Sequence, residues 1–215
     1  MRRAAALLVS LATVAGVAAA HPHGRLACEV QLGFEGGRLV WVAQRLTLDA
    51  ASSAALAERL QVGTPEPPAK PVALFRDLML GLFRHSGWML DLRAGGMAAA
   101  VALDDTASAW RRLDDGRLEL SLRLAPLAPV PAAMQWALAC RDPVWYWVGE
   151  FVGPAAVSVD GAACRVALDD ARDAAAVAAA LTSAARAAGA LGAERVAASA
   201  TATAQLGAGR AELQC

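Results

Sequence analysis

Three histidines occur in the 215 residues, and two of them, His21 and His23, flank a single proline, Pro22. In an extended segment residues i and i+2 point to the same side, so both imidazoles can reach one ion. They follow Ala18-Ala19-Ala20, small residues of the kind that signal peptidase cuts. Cleavage after Ala20 would make His21 the N-terminus, with a free α-amine beside its own ring. Pro22 excludes one familiar copper or nickel site, because a square-planar amino-terminal clip uses the deprotonated second amide and proline has none. What remains is a brace, in which the amine and ring of His21 chelate and His23 or His85 completes the set. Nitrogen donors of this kind suit copper(II), nickel, cobalt or zinc, with copper favoured by the affinity order. The competing expectation is a terminus that binds nothing. His85 has its own alternative, since an imidazolium near a helix C-terminus is favoured by the helix dipole.

Cys28, Cys140, Cys164 and Cys215 form an even set without CxxC spacing. In an oxidising compartment that favours disulfides over a thiolate zinc site, and four cysteines allow three pairings. Trp145-Tyr146-Trp147 is the densest aromatic cluster, and alternation places Trp145, Trp147 and Phe151 on one face. That face serves either as core or as a stacking platform for a ligand. There is no nucleophile elbow, metalloprotease helix motif or phosphate loop, and His85-Ser86, as chain neighbours, form no catalytic pair. The chain reads as a non-enzyme without a cofactor-binding motif.

The elements that would position these residues begin after an export signal. Arg2 and Arg3 precede an apolar run from Ala4 to Val17, too short to span a bilayer. Residues 1–20 are therefore expected to be a cleaved signal peptide. Residues 21–215 are expected to be one periplasmic domain, with a sub-boundary possible near 63–71 and no membrane span. Without the two leader arginines the chain has 18 basic against 20 acidic residues, a formal charge of −2. No basic stripe suggests nucleic acid.

Alternation from Arg25 to Glu35 predicts a half-buried strand with Leu26, Cys28, Val30, Leu32 and Phe34 inward. Gly36-Gly37 predicts a hairpin turn into Leu39–Leu48, and Asp49 the N-cap of a helix over Ala50–Leu60. The prolines of Thr64–Pro71 predict a loop. In the next helix Leu74, Phe75, Leu78, Met79, Leu82 and Phe83 recur at helical spacing, as a core-packing stripe. Strands are expected at Trp88–Arg93, Met97–Leu103, Ala109–Leu113, Arg117–Leu124, Met134–Arg141 and Val144–Val152. A hairpin is expected about Asp160-Gly161, then a long Ala-rich helix to about Ala188 and an edge strand ending at Cys215. The sum is an α+β fold, a mainly antiparallel sheet of hairpins with two or three inserted helices.

Several of these pieces carry a family resemblance. They are His21-Pro22-His23, Gly36-Gly37-Arg38-Leu39, Asp115-Gly116-Arg117-Leu118, Arg141-Asp142-Pro143 before an aromatic strand, Gly161 to Cys164, and terminal Cys215. In this order they resemble the uncharacterised bacterial periplasmic proteins described as periplasmic components of an ABC-type transport system. Those proteins often sit beside nickel, cobalt or zinc transport genes. The resemblance implies a periplasmic accessory or binding protein for transition-metal transport, with a membrane transporter as partner. A structural or adaptor module docking on such a transporter is the alternative. The resemblance also implies a Cys164–Cys215 disulfide, which leaves Cys28 with Cys140. Two departures stand out. Gly24-Arg25-Leu26 replaces the Trp and branched residue that usually follow the His-Pro-His start, and Ala50–Pro71 holds no calcium loop.

Overall fold

Period-two alternation after Gly24 does what it predicts, and the strand it builds becomes the axis of a large sheet. In a computed structural model, residues 24–62, 70–104, 108–141, 147–169 and 209–215 are described. Strand β1 (Gly24–Glu35) buries Leu26, Cys28, Val30, Leu32 and Phe34 and exposes Arg25, Glu29, Gln31 and Glu35. Gly36 and Gly37 both take positive φ, 54° and 73°, and return the chain into antiparallel β2 (Arg38–Leu48). Helices α1 (Ala50–Leu60) and α2 (Lys70–His85) follow.

β1 and β2 are joined by β7 (Leu118–Pro126), which pairs with β2, and by β5 (Val101–Leu103) and β6 (Ala109–Arg112), which pair with β7. The short β8 (Val130–Pro131) pairs with the start of β2. The other edge of β1 receives β10 (Trp147–Phe151) and then β11 (Val157–Asp160), both parallel to it. A second sheet runs β12 (Arg165–Asp169), β13 (Gly209–Gln214), β9 (Gln135–Cys140), β3 (Leu90–Ala94) and β4 (Met97–Ala98), antiparallel throughout. The two inner faces meet through Phe34 and Trp136, edge to face with centroids 5.5 Å apart, and through the Cys28–Cys140 disulfide. Side chains in this interior such as Leu46, Leu120 and Trp136 are fully buried, and each aliphatic one contributes about 1.5–3 kcal/mol. Gln44 is the exception, buried among Val30 and Leu122 with no hydrogen-bond partner for its amide among the described residues.

The predominance of antiparallel pairing and the two helices agree with the α+β expectation, but five details differ. The sheet is mixed, because β10 and β11 run parallel to β1. Asp160-Gly161 is no hairpin: β11 pairs with β1, whereas β12 pairs with β13 in the other sheet. Gly161 is needed because a Cβ there would collide with the Phe34 carbonyl oxygen. The C-terminal strand is internal rather than an edge, lying between β12 and β9. Trp88 belongs to a tight turn, Gly87–Met89, with positive φ at all three residues, and β3 starts only at Leu90. Met97–Leu103 is likewise divided, β4 staying with β3 and β5 crossing to β7. The proline-rich loop and the Ala-rich segment lie outside the described residues, apart from their ends. No helix among the described residues is long and apolar enough to cross a membrane.

Candidate functional site

The side chains with chemical potential gather where the start of β1 meets the two helices. Asp49 makes that junction. One carboxylate oxygen accepts from the Ser52 N–H at 2.8 Å, as a helix N-cap does, and the other accepts from the Ser52 hydroxyl at 3.0 Å and the Arg25 N–H at 2.6 Å. Burial pushes the Asp49 carboxyl up, yet these bonds, with a further one from the Ala51 N–H, leave it below its ordinary value. Ser53 locks the same turn to the sheet, donating to the Leu48 carbonyl and accepting from the Leu118 N–H.

The second helix is tied down near its middle and at its C-terminal end. Arg76 donates to the carbonyls of Leu60 and Gln61 at 2.8 and 2.9 Å, completing the C-terminus of α1. At the end of α2, the Ser86 hydroxyl donates to the carbonyls of Leu82 and Phe83. Phe83 reaches Trp110 at 6.3 Å between centroids. Met79 and Phe83 are buried and Phe75 is half-buried. Leu74, Leu78 and Leu82, expected in the core, are 69%, 59% and 56% exposed. The apolar stripe is wider than the surface that receives it.

Between α1, α2, Met89 and Trp147 lies a cavity of about 630 Å³. Its walls are mainly apolar, and its polar members are Ser52, Arg59, His85 and Ser86. His85, the last residue of α2, is exposed. Gly24 sits beside this cavity, since a Cβ on it would collide with the Ser52 hydroxyl and the Trp147 ring, both cavity-lining groups. A second cavity, about 460 Å³, contains Arg84 and Asp91. Asp91 is neutralised by Arg93 at 3.1 Å and Arg141 at 2.9 Å.

Among the expected site residues, Cys28 is bonded to Cys140 and Cys164 to Cys215. Both pairs are structural ties, one between the sheets and one between the C-terminus and the turn before β12. His21, His23, Trp145 and Tyr146 lie outside the described residues, so His85 is the one expected histidine ligand with a described position. No group of three His, Cys, Asp or Glu side chains capable of holding a metal occurs among the described residues. Trp147 is 8% exposed, a core residue as expected, and it also lines the cavity. Reading the sequence missed Arg59. Its position in the last turn of α1 suggests only a favourable helix-dipole contact, and nothing local reveals that α2 folds back to enclose a space beside it.

The family described as "Protein of unknown function (DUF1007)" matches residues 6–215, and the chain belongs to that family. No curated protein matches the chain.

Proposed function

We propose that this protein is a periplasmic accessory protein for transition-metal transport that presents an N-terminal His-Pro-His to copper, nickel, cobalt or zinc as cargo. One observation supports this above others: β1 starts at Gly24, against Ser52 and Trp147, in the lining that also contains His85. His23 is one residue from that point and His21 three, a reach of at most about 11 Å along an extended chain. A brace in which His21 and His23 reach toward His85 would supply three imidazoles and an amine, a donor set that suits those ions. Arg59, in the same lining, opposes a bare cation, so the metal is proposed to sit on the imidazoles rather than within the cavity. Two disulfides suit an oxidising compartment, in keeping with removal of residues 1–20 and residence in the periplasm. The protein acts without catalysis, handing metal to or from a membrane transporter.

Calorimetric titration with copper(II) and nickel(II) tests the proposal on protein that begins at His21 and on protein with one extra residue before it. The native terminus should bind well above the extended one, with His21→Ala weakening binding most, His23→Ala next and His85→Ala measurably. Equal binding by the two termini, or retained affinity in a His21/His23 double variant, would overturn the metal role. A structural adaptor that docks on an envelope transporter is the alternative, and the exposed Leu74, Leu78 and Leu82 favour it.

A further inference from the structure

The cavity between α1 and α2 has a chemistry that does not depend on metal. Its apolar wall is made largely by Leu56, Phe75, Met79, Phe83, Met89 and Trp147. Its two serines are engaged within the fold, Ser52 with Asp49 and Ser86 with the carbonyls of Leu82 and Phe83. That leaves Arg59 and His85 as the groups able to meet a ligand, and no carboxylate lines the space. Arg59 has no carboxylate partner among the described residues, and its guanidinium lies 6.0 Å from the centre of the Phe75 ring. A volume of about 630 Å³ is that of an ordinary small-molecule site.

We propose that this cavity binds an amphipathic organic anion: a carboxylate on an aliphatic or aromatic body. The body packs against Phe75, Met79 and Phe83, where removing apolar surface from water supplies the affinity. The carboxylate sits at Arg59, whose planar fork matches it in two parallel hydrogen bonds, with His85 as a second donor at the rim. The charge pattern selects this class of ligand. A bare cation meets Arg59 unfavourably, and a neutral molecule of the same shape leaves the guanidinium without a charged partner. Leu82, part of the lining yet 56% exposed, extends the apolar surface out of the mouth for a longer tail.

The test uses purified protein freed of metal by a chelator and titrated with fluorescent dansylaminoundecanoate, which is then displaced by dodecanoate or by dodecanol. Binding should be saturable, and dodecanoate should displace the probe roughly tenfold better than dodecanol, as expected for one charge-assisted pair. Arg59→Gln should weaken probe binding by roughly tenfold or more. Arg38→Gln, exposed at the β1–β2 turn away from the cavity, should leave it unchanged. Ala55→Trp places bulk on an exposed lining position and should block binding while the urea midpoint stays put, which separates occlusion from misfolding. Equal displacement by the alcohol, unaltered binding in Arg59→Gln, or no saturable binding would each overturn the proposal. So would flotation with phosphatidylglycerol vesicles in the absence of dodecanoate binding, which would indicate a membrane surface instead.

Discussion

The carboxylate of Asp49 holds two elements together, accepting from the backbone of β1 at Arg25 and from the first turn of α1 at Ser52. It therefore fixes both the entry of α1 and the place where the N-terminal segment emerges. Its net downward shift has a definite sign for stability. A carboxyl held below its ordinary value stabilises the fold above that value, and the contribution disappears as pH falls through the lowered one. Asp49→Ala should cost about 1 kcal/mol at neutral pH. The gap between variant and parent should close as pH is taken well below 3.8, the ordinary value. Urea midpoints at the two pH values measure this, and a gap that persists in acid would assign the effect to shape rather than charge. Asp49 was legible in the sequence because an N-cap is local: one carboxylate, three residues, one turn. Its bond to Arg25 was not, because the partners lie 24 residues apart and only the return of β2 along β1 brings them together. Gly24 is comparable. It reads as a departure from the resembled family's aromatic residue, and in the fold the Trp147 ring packs against it, so that no side chain fits.

Helix α2 shows what periodicity can and cannot say. The spacing of Leu74, Phe75, Leu78, Met79, Leu82 and Phe83 correctly indicates a helix and which side chains share a face. It carries no information on how wide the receiving surface is, and only Phe75, Met79 and Phe83 find cover. The division gives a contrast to measure. Phe83→Ala should destabilise by about 3–5 kcal/mol through loss of a buried ring, whereas Leu78→Glu should stay within about 0.5 kcal/mol. A large penalty for Leu78→Glu in urea unfolding would mean that the leucine face is covered in solution. Turns follow the same rule. Gly36-Gly37 and Asp115-Gly116 were legible because each joins strands that pair with each other. Asp160-Gly161 looks alike locally, yet its flanking strands take remote partners in different sheets, and no local pattern encodes that.

Two disulfides connect parts of the molecule that are distant along the chain, with separations of 112 and 51 residues. They differ in access. Cys28 and Cys140 are fully buried between the sheets, whereas Cys215 is exposed and Cys164 half-buried. A mild reductant applied to the folded protein, followed by alkylation and mass mapping, should label Cys164 and Cys215 first. Cys28 and Cys140 should react only once denaturant opens the core. Labelling of all four at the same rate would mean that the layers separate readily in the native state. Replacing Cys28 and Cys140 together should lower stability by about 2–5 kcal/mol. The position of β1 has one more consequence, for the order of events as the chain emerges from its N-terminal side. β2 is available almost at once to cover one flank of β1, but β10 and β11 arrive more than a hundred residues later. Until then β1 keeps an unpaired flank, a template that another chain can extend. Pairings this remote are slow to form, and they leave such flanks open to misassociation while they wait. A holding chaperone that shields β1 over that interval should raise the yield of folded protein.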